Sequence, residues 1–265
     1  MSARLRILTL LLLVGGLTAH GQDLRTGVAA PDGGFLAAGE CLAWLDAEGN
    51  TLKIKPLDCT LTSLAAVGED LYALDTEGRE LIGLALDGTG ISRETLPLRG
   101  RLRGLYADGS VLWAVTDAGE IAHGNPASGW TVFDFNAAYD GFYPRMDFCA
   151  VAAGGGSVMV AGLRPDGTPA AFTSARGTVW SERTLDYTDQ GLPCLFTAEP
   201  ISLSYDAPQD RFYLVGTGGA QLTLPSCSHC NALARYPTDT LFVRIAAGTK
   251  NLLLGSDGFR RAEER

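Results

Sequence analysis

Ser110-Val111-Leu112-Trp113-Ala114-Val115-Thr116-Asp117-Ala118-Gly119-Glu120-Ile121 reads as an apolar, β-prone run, a tight Asp-Ala-Gly turn and the start of a second strand, which is the pattern of a hairpin. The chain writes variants of this stretch six times. The turn glycines are Gly39, Gly78, Gly119, Gly167, Gly218 and Gly258, separated by 39, 41, 48, 51 and 40 residues. Recurrence at that spacing marks a repeat architecture in which each unit is one supersecondary element.

A short run of small apolar residues opens every unit: Val28-Ala29-Ala30, Leu64-Ala65-Ala66-Val67, Leu105-Tyr106-Ala107, Ala150-Val151-Ala152-Ala153, Leu203-Ser204-Tyr205 and Ile245-Ala246-Ala247. Small side chains suit strands crowded around an axis. The second strands, 35–37, 71–74, 111–115, 158–161, 212–215 and 252–254, are almost wholly apolar, as expected where both faces are covered. Third and fourth strands alternate, as expected beside solvent. Four antiparallel strands in each of six units predict an all-β fold, a six-bladed β-propeller, ahead of a β-sandwich with accidental periodicity. The sixth unit shows two clear strands and a charged tail over 259–265. That tail is expected to supply a third strand, with N-terminal residues 23–26 beside it as the fourth.

Arg4 and Arg6, the apolar block 7–17 and the small residues Ala19 and Gly21 predict a secretory signal peptide over 1–21. Residues 22–265 then form a single propeller domain with a secreted or periplasmic address. The apolar block is too short to span a bilayer, and no later stretch approaches the required length. Without Arg4 and Arg6 the formal charge moves from −9 to −11. Such a balance argues against nucleic acid and anionic lipid and leaves basic peptides, metal ions and neutral sugars as ligands.

Six cysteines, Cys41, Cys59, Cys149, Cys194, Cys227 and Cys230, behind an export signal favour disulfides. Cys41 and Cys59 flank a hairpin turning near Gly49 and are expected to bridge across it. Pairing of Cys149 with Cys194 is less constrained. Cys227-Ser228-His229-Cys230 suits a local structural bridge, a redox pair or half a zinc site. Zinc would need two further ligands, and the mature chain holds only His123 and His229 as histidines.

In a propeller the connections between blades and the turns between second and third strands emerge on one face. That face collects Glu77, Asp117, Asp166 and Asp257. Carboxylates of this kind suit calcium, yet Asp and Gly are also the ordinary residues of tight turns. No other cofactor is expected. The linker Ala137-Ala138-Tyr139-Asp140-Gly141-Phe142-Tyr143-Pro144-Arg145 carries three aromatics and an arginine. Tyr139, Phe142, Tyr143 and Arg145 are the candidate anchor for a protein or glycan partner. The competing expectation is that Phe142 and Tyr143 plug the gap between blades. The following linker, 188–200, contains Cys194 and is expected to be pinned.

Ser174-Ala175-Arg176-Gly177-Thr178-Val179-Trp180 resembles a degenerate Asp-box, the Ser-x-Asp-x-Gly-x-Thr-Trp hairpin of sialidase-type (BNR) propellers, with Ser128-Gly129-Trp130-Thr131 as a fainter echo. Together with the export signal, these features also resemble the repeats of the photosystem II stability/assembly factor family. The resemblance implies a scaffold that binds another protein or assists assembly. Its departures are six units where that family typically has seven, and no assignable basic surface. The arginine triad, tyrosine and acids of sialidases cannot be placed. The expected function is therefore a non-catalytic binding scaffold, with a carbohydrate-active hydrolase or lyase, or a metal-dependent lactonase-like hydrolase, as alternatives.

Overall fold

The computed structural model describes residues 24–30, 33–225, 231–236, 241–247, 250–255 and 258–261. The protein is an all-β propeller with four-stranded antiparallel blades. The first sheet contains β1 (Leu24–Ala29), β2 (Phe35–Gly39), β3 (Cys41–Leu45) and β4 (Thr51–Pro56). The second contains β5 (Leu61–Val67), β6 (Asp70–Asp75), β7 (Leu81–Ala85) and β8 (Ser92–Glu94), and the third β9 (Leu102–Asp108), β10 (Val111–Thr116), β11 (Glu120–Asn125) and β12 (Gly129–Asp134). A single helical turn, α1 (Phe135–Ala138), precedes the fourth sheet of β13 (Asp147–Gly154), β14 (Ser157–Leu163), β15 (Pro169–Ser174) and β16 (Ser181–Arg183). A separate hairpin, β17 (Asp186–Asp189) and β18 (Leu192–Leu195), leads to the fifth sheet of β19 (Pro200–Asp206), β20 (Arg211–Gly216), β21 (Ala220–Pro225) and β22 (Ala232–Arg235). The last sheet contains β23 (Leu241–Ala247), β24 (Lys250–Gly255) and β25 (Gly258–Arg261). Innermost strands β1, β5, β9, β13, β19 and β23 neighbour one another in that cyclic order, with β23 returning to β1.

The apolar second strands are explained by what their two faces touch. Phe35 and Ala37 of β2 pack toward the last sheet, whereas Leu36 and Ala38 pack toward the second. In β14, Val158 and Val160 face the third sheet, and Met159 and Ala161 face the fifth. Each sheet therefore contributes alternate residues to two different cores, and no strand between them can afford a polar face.

Every innermost strand slips register by one residue near its start. The residues skipped in the register are Arg25, Thr62, Arg103, Cys149, Ile201 and Phe242. Such a β-bulge resets the alternation of faces. Residues three apart then share one side: Leu61 with Leu64, Leu102 with Leu105, and Phe148 with Val151.

Several expectations are corrected. Residues 24–26 do not complete the last sheet. They belong to β1 and pair with β2, because Leu24, only 4% exposed, is core between the first and last sheets. Among the described residues the last sheet has three strands rather than four. The Cys41–Cys59 bridge is not formed: Cys41 packs in the core shared with the last sheet, and Cys59 against the one shared with the second, on opposite sides of the first blade. Nor do Cys149 and Cys194 join. Cys149 lies in an innermost strand, whereas Cys194 is placed opposite Tyr187 in the separate hairpin. Cys227, Cys230 and the predicted signal peptide lie outside the described residues. No described helix is long and apolar enough to cross a membrane.

Candidate functional site

The linker between the third and fourth blades is fastened before its aromatics are placed. Asp134 caps α1 by accepting from the Ala137 N–H at 3.0 Å. The Asn136 amide donates to Ala118 O and Met146 O at 2.8 and 3.0 Å, and its oxygen accepts from the Met146 N–H at 2.7 Å. Gly119 lies against that amide. A Cβ there would sit 2.2 Å from Asn136 Nδ2, and its φ of +77° also requires glycine.

From this anchored base the predicted residues go to different fates. Phe135 is fully buried, with ring centroids of Phe172, Tyr139 and Phe148 at 4.7, 4.8 and 5.2 Å. Tyr139 is partly buried against it, and its hydroxyl accepts from the Trp180 N–H at 2.7 Å and donates to Trp180 O at 3.2 Å. Tyr143 stacks on Phe135 at 5.9 Å and meets Phe172 edge-on at 5.0 Å. These two tyrosines fill the gap between blades. Phe142 does not: it stands edge-on to Tyr143 at 4.7 Å and remains 73% exposed. Arg145 is exposed.

The Asp-box-like turn supports the same region. Trp180 is 2% exposed and its indole donates to Gly177 O at 3.2 Å, while the Ser174 hydroxyl accepts from the Arg176 N–H at 3.3 Å. The next linker forms the hairpin β17–β18, which sequence reading missed. Its base is held by Asn231, whose amide donates to Thr184 O and Asp186 O at 3.0 and 2.8 Å. Beyond that base Leu192 and Leu195 are 67% and 70% exposed.

The described acidic turn residues already have partners within the protein. Asp166 accepts from the Thr168 N–H and hydroxyl at 2.9 and 2.6 Å, and these bonds hold its carboxyl below the usual range. Asp117 accepts from the Arg101 N–H at 2.8 Å, and Glu77 sits 3.9 Å from Arg79. Asp257 lies outside the described residues. Among the described residues no three His, Cys, Asp or Glu side chains come together as a metal site.

The axis of the ring is a cavity of about 240 Å³ walled by all six innermost strands. On its wall Arg103 lies near Asp147, whose carboxyl is raised by burial and whose Oδ1 has no hydrogen-bond partner among the described residues. Cys149 Sγ lies 3.1 Å from Pro200 O, and burial pushes its thiol up to about 12. A thiol so protected has almost no thiolate near neutrality. Native Cys149 is therefore expected to alkylate at pH 8 about three orders of magnitude more slowly than in the unfolded chain, as read by iodoacetamide labelling and peptide mass. Because the folded pKa is raised, the unfolded chain loses this proton first. The contribution to stability is complete below the ordinary thiol range and falls as pH rises toward about 12.

No family model and no curated protein sequence matches the chain. Solved structures do, and those similar to it are β-propellers. A nidogen/laminin complex aligns with TM-score 0.64 and 14% identity over 83% of this chain and 84% of that one. Virginiamycin B lyase from Staphylococcus aureus, in an inactive form with quinupristin, aligns with TM-score 0.61 and 11% identity over 93% and 86%. YCF48 from Cyanidioschyzon merolae aligns with TM-score 0.58 and 11% identity over 89% and 93%. At these identities the likeness is one of fold.

Proposed function

We propose that this chain is an exported, non-catalytic propeller that docks a protein partner across the linkers flanking its fourth blade. The observation that carries this reading is Phe142. Its neighbours Tyr139 and Tyr143 are drawn into the core, yet Phe142 stays 73% exposed on a linker pinned at both ends. A rigid, exposed aromatic loses little freedom on binding and buries a large area, which is what interface anchors do. Both linkers join the last strand of one blade to the first of the next, so they leave the ring on the same side. Leu192 and Leu195 add apolar surface there, and Arg145 supplies a charged rim.

In this reading the three-stranded sheet is the sixth blade of the ring, and residues 22–265 are one domain. The Arg4, Arg6 and 7–17 pattern supports export. Structural relatives are seen in a protein complex and, as YCF48, in the family whose repeats the sequence resembles.

A photo-crosslinking residue at Phe142 or Leu192, installed in the producing cell, is expected to trap one common protein. The same residue at the exposed rim positions Leu52 and Ile91 is expected not to trap it. Equal adducts from all four positions, or different proteins from Phe142 and Leu192, would reject this face.

A further inference from the structure

The seam between the fifth and last sheets differs in kind from the others. Its described apolar core is Val215, Leu241 and Leu253, with Ile201 and Tyr236 alongside. On the same side of the fifth sheet, alternation places Ser204, Asp206, Tyr213 and Gln221, because Leu203, Phe212, Leu222 and Leu224 face the fourth blade. Opposite them stands Arg244. It lies three residues beyond Leu241, the place held by Leu64, Leu105, Val151 and Leu203 in other blades.

Arg244 is 5% exposed. Its guanidinium lies 3.7 Å over the Tyr213 ring, and among the described residues it makes no ion pair and its Nε no hydrogen bond. The Ser204 hydroxyl, 8% exposed, is likewise without a partner. Water can satisfy a hydroxyl, but a buried positive charge calls for an anion, since an aromatic face offsets only part of the desolvation. Arg103 on the same wall has Asp147 near it. Asp206, 1% exposed on the Ser204 side of the fifth sheet, forms no ion pair with Arg244 among the described residues.

Both Arg244 and Ser204 line the axial cavity. The rest of the wall is mixed: Arg25, Thr62 and Ser202 are polar, and Val28, Ile201 and Val243 are apolar. Among the described residues no aspartate or glutamate lines the cavity, although the protein as a whole is acidic. Its volume of about 240 Å³ equals that of about eight waters in the liquid, so only a compact ligand fits.

We propose that the axial cavity binds a small monocarboxylate with an apolar body, its carboxylate on Arg244 and Ser204 and its hydrocarbon against Ile201 and Val243. A planar carboxylate matches the guanidinium fork, and an apolar body matches Ile201 and Val243 better than a hydrated oxyanion does. This site is separate from the linker face.

The test uses the whole mature chain and isosteric pairs: hexanoate against hexanamide, benzoate against benzamide, with sulfate and phosphate as inorganic anions. Calorimetric binding and a melting point raised by a few degrees at saturation are expected for the acids alone. Arg244→Gln is expected to weaken binding about tenfold or more. Ile201→Trp, which fills part of the cavity, is expected to weaken it while leaving Arg244 in place. If Arg244→Gln does not fold, the contrast of acid with amide on the native chain and the Ile201→Trp result decide the matter. Binding by no acid, equal binding of acid and amide, or equal binding of sulfate and phosphate would overturn the proposal.

Discussion

Phe135→Ala is expected to destabilise the protein by about 3–5 kcal/mol, the range for emptying a fully buried aromatic site. Phe135 is the point where the interblade linker meets the core. It closes against Phe148 and Phe172 of the fourth blade and supports Tyr139 and Tyr143 from within the linker itself. A void there cannot be filled by collapse, because α1 is tied to Ala118 and Met146 through Asn136. The melting temperature should fall by roughly 6–20 °C for a domain of this size, and the urea midpoint should drop with the slope unchanged. Phe142→Ala, seven residues along, is the control. Its side chain is mostly in water, and its loss should stay within about 0.5 kcal/mol. Equal losses at the two positions would contradict the division of the linker into plug and exposed tip.

Glu120→Ala is expected to cost about 2–4 kcal/mol, through donors left without an acceptor rather than through a lost ion pair. Glu120 is 3% exposed, and its Oε2 accepts from the backbone N–H groups of Arg99 and Gly100, both at 2.9 Å. It therefore clasps the connection entering the third blade. The Arg99 side chain also pairs with it at 3.1 Å, but the guanidinium is largely exposed and adds little by that contact. Glu120→Gln, which keeps an accepting oxygen, should recover part of the loss. Glu77→Ala, at an exposed pair with Arg79, should lie within about 0.5 kcal/mol of the parent. Chemical denaturation of the four proteins separates these outcomes, and a near-neutral Glu120→Ala would show that the clasp has no energetic role.

Much of the fold was legible because its main rule is written locally. The small apolar openings fall in β1, β5, β9, β13, β19 and β23, and the wholly apolar runs fall in the second strands. What escaped depends on long-range geometry. Residues 24–26 read as a free extra strand, since nothing local records that Leu24 is core between two sheets. Cys41 and Cys59 stand about equally far from a hairpin turn, and spacing alone cannot tell that their side chains leave opposite faces. The hairpin of 186–195 was hidden by its Pro193 and its exposed leucines, which break the alternation by which strands are recognised.

The candidate site was half legible. Three aromatics in one linker singled out that segment, but a sequence cannot divide tyrosines that fill a seam from a phenylalanine that stands clear of it. Arg244 was passed over because it sits inside an otherwise apolar strand. The signal available was its spacing from Leu241, matched against Leu61 and Leu64, or Leu102 and Leu105, which marks that place as one normally filled by hydrocarbon.

The slipped residue at the head of each innermost strand acts as a parity switch. Removing Thr62, for instance, would restore unbroken alternation and throw Leu61 to the other flank of its blade, stripping one core of a member while crowding the next. Insertions and deletions harmless in the rim turns are for that reason forbidden at this ring of six positions.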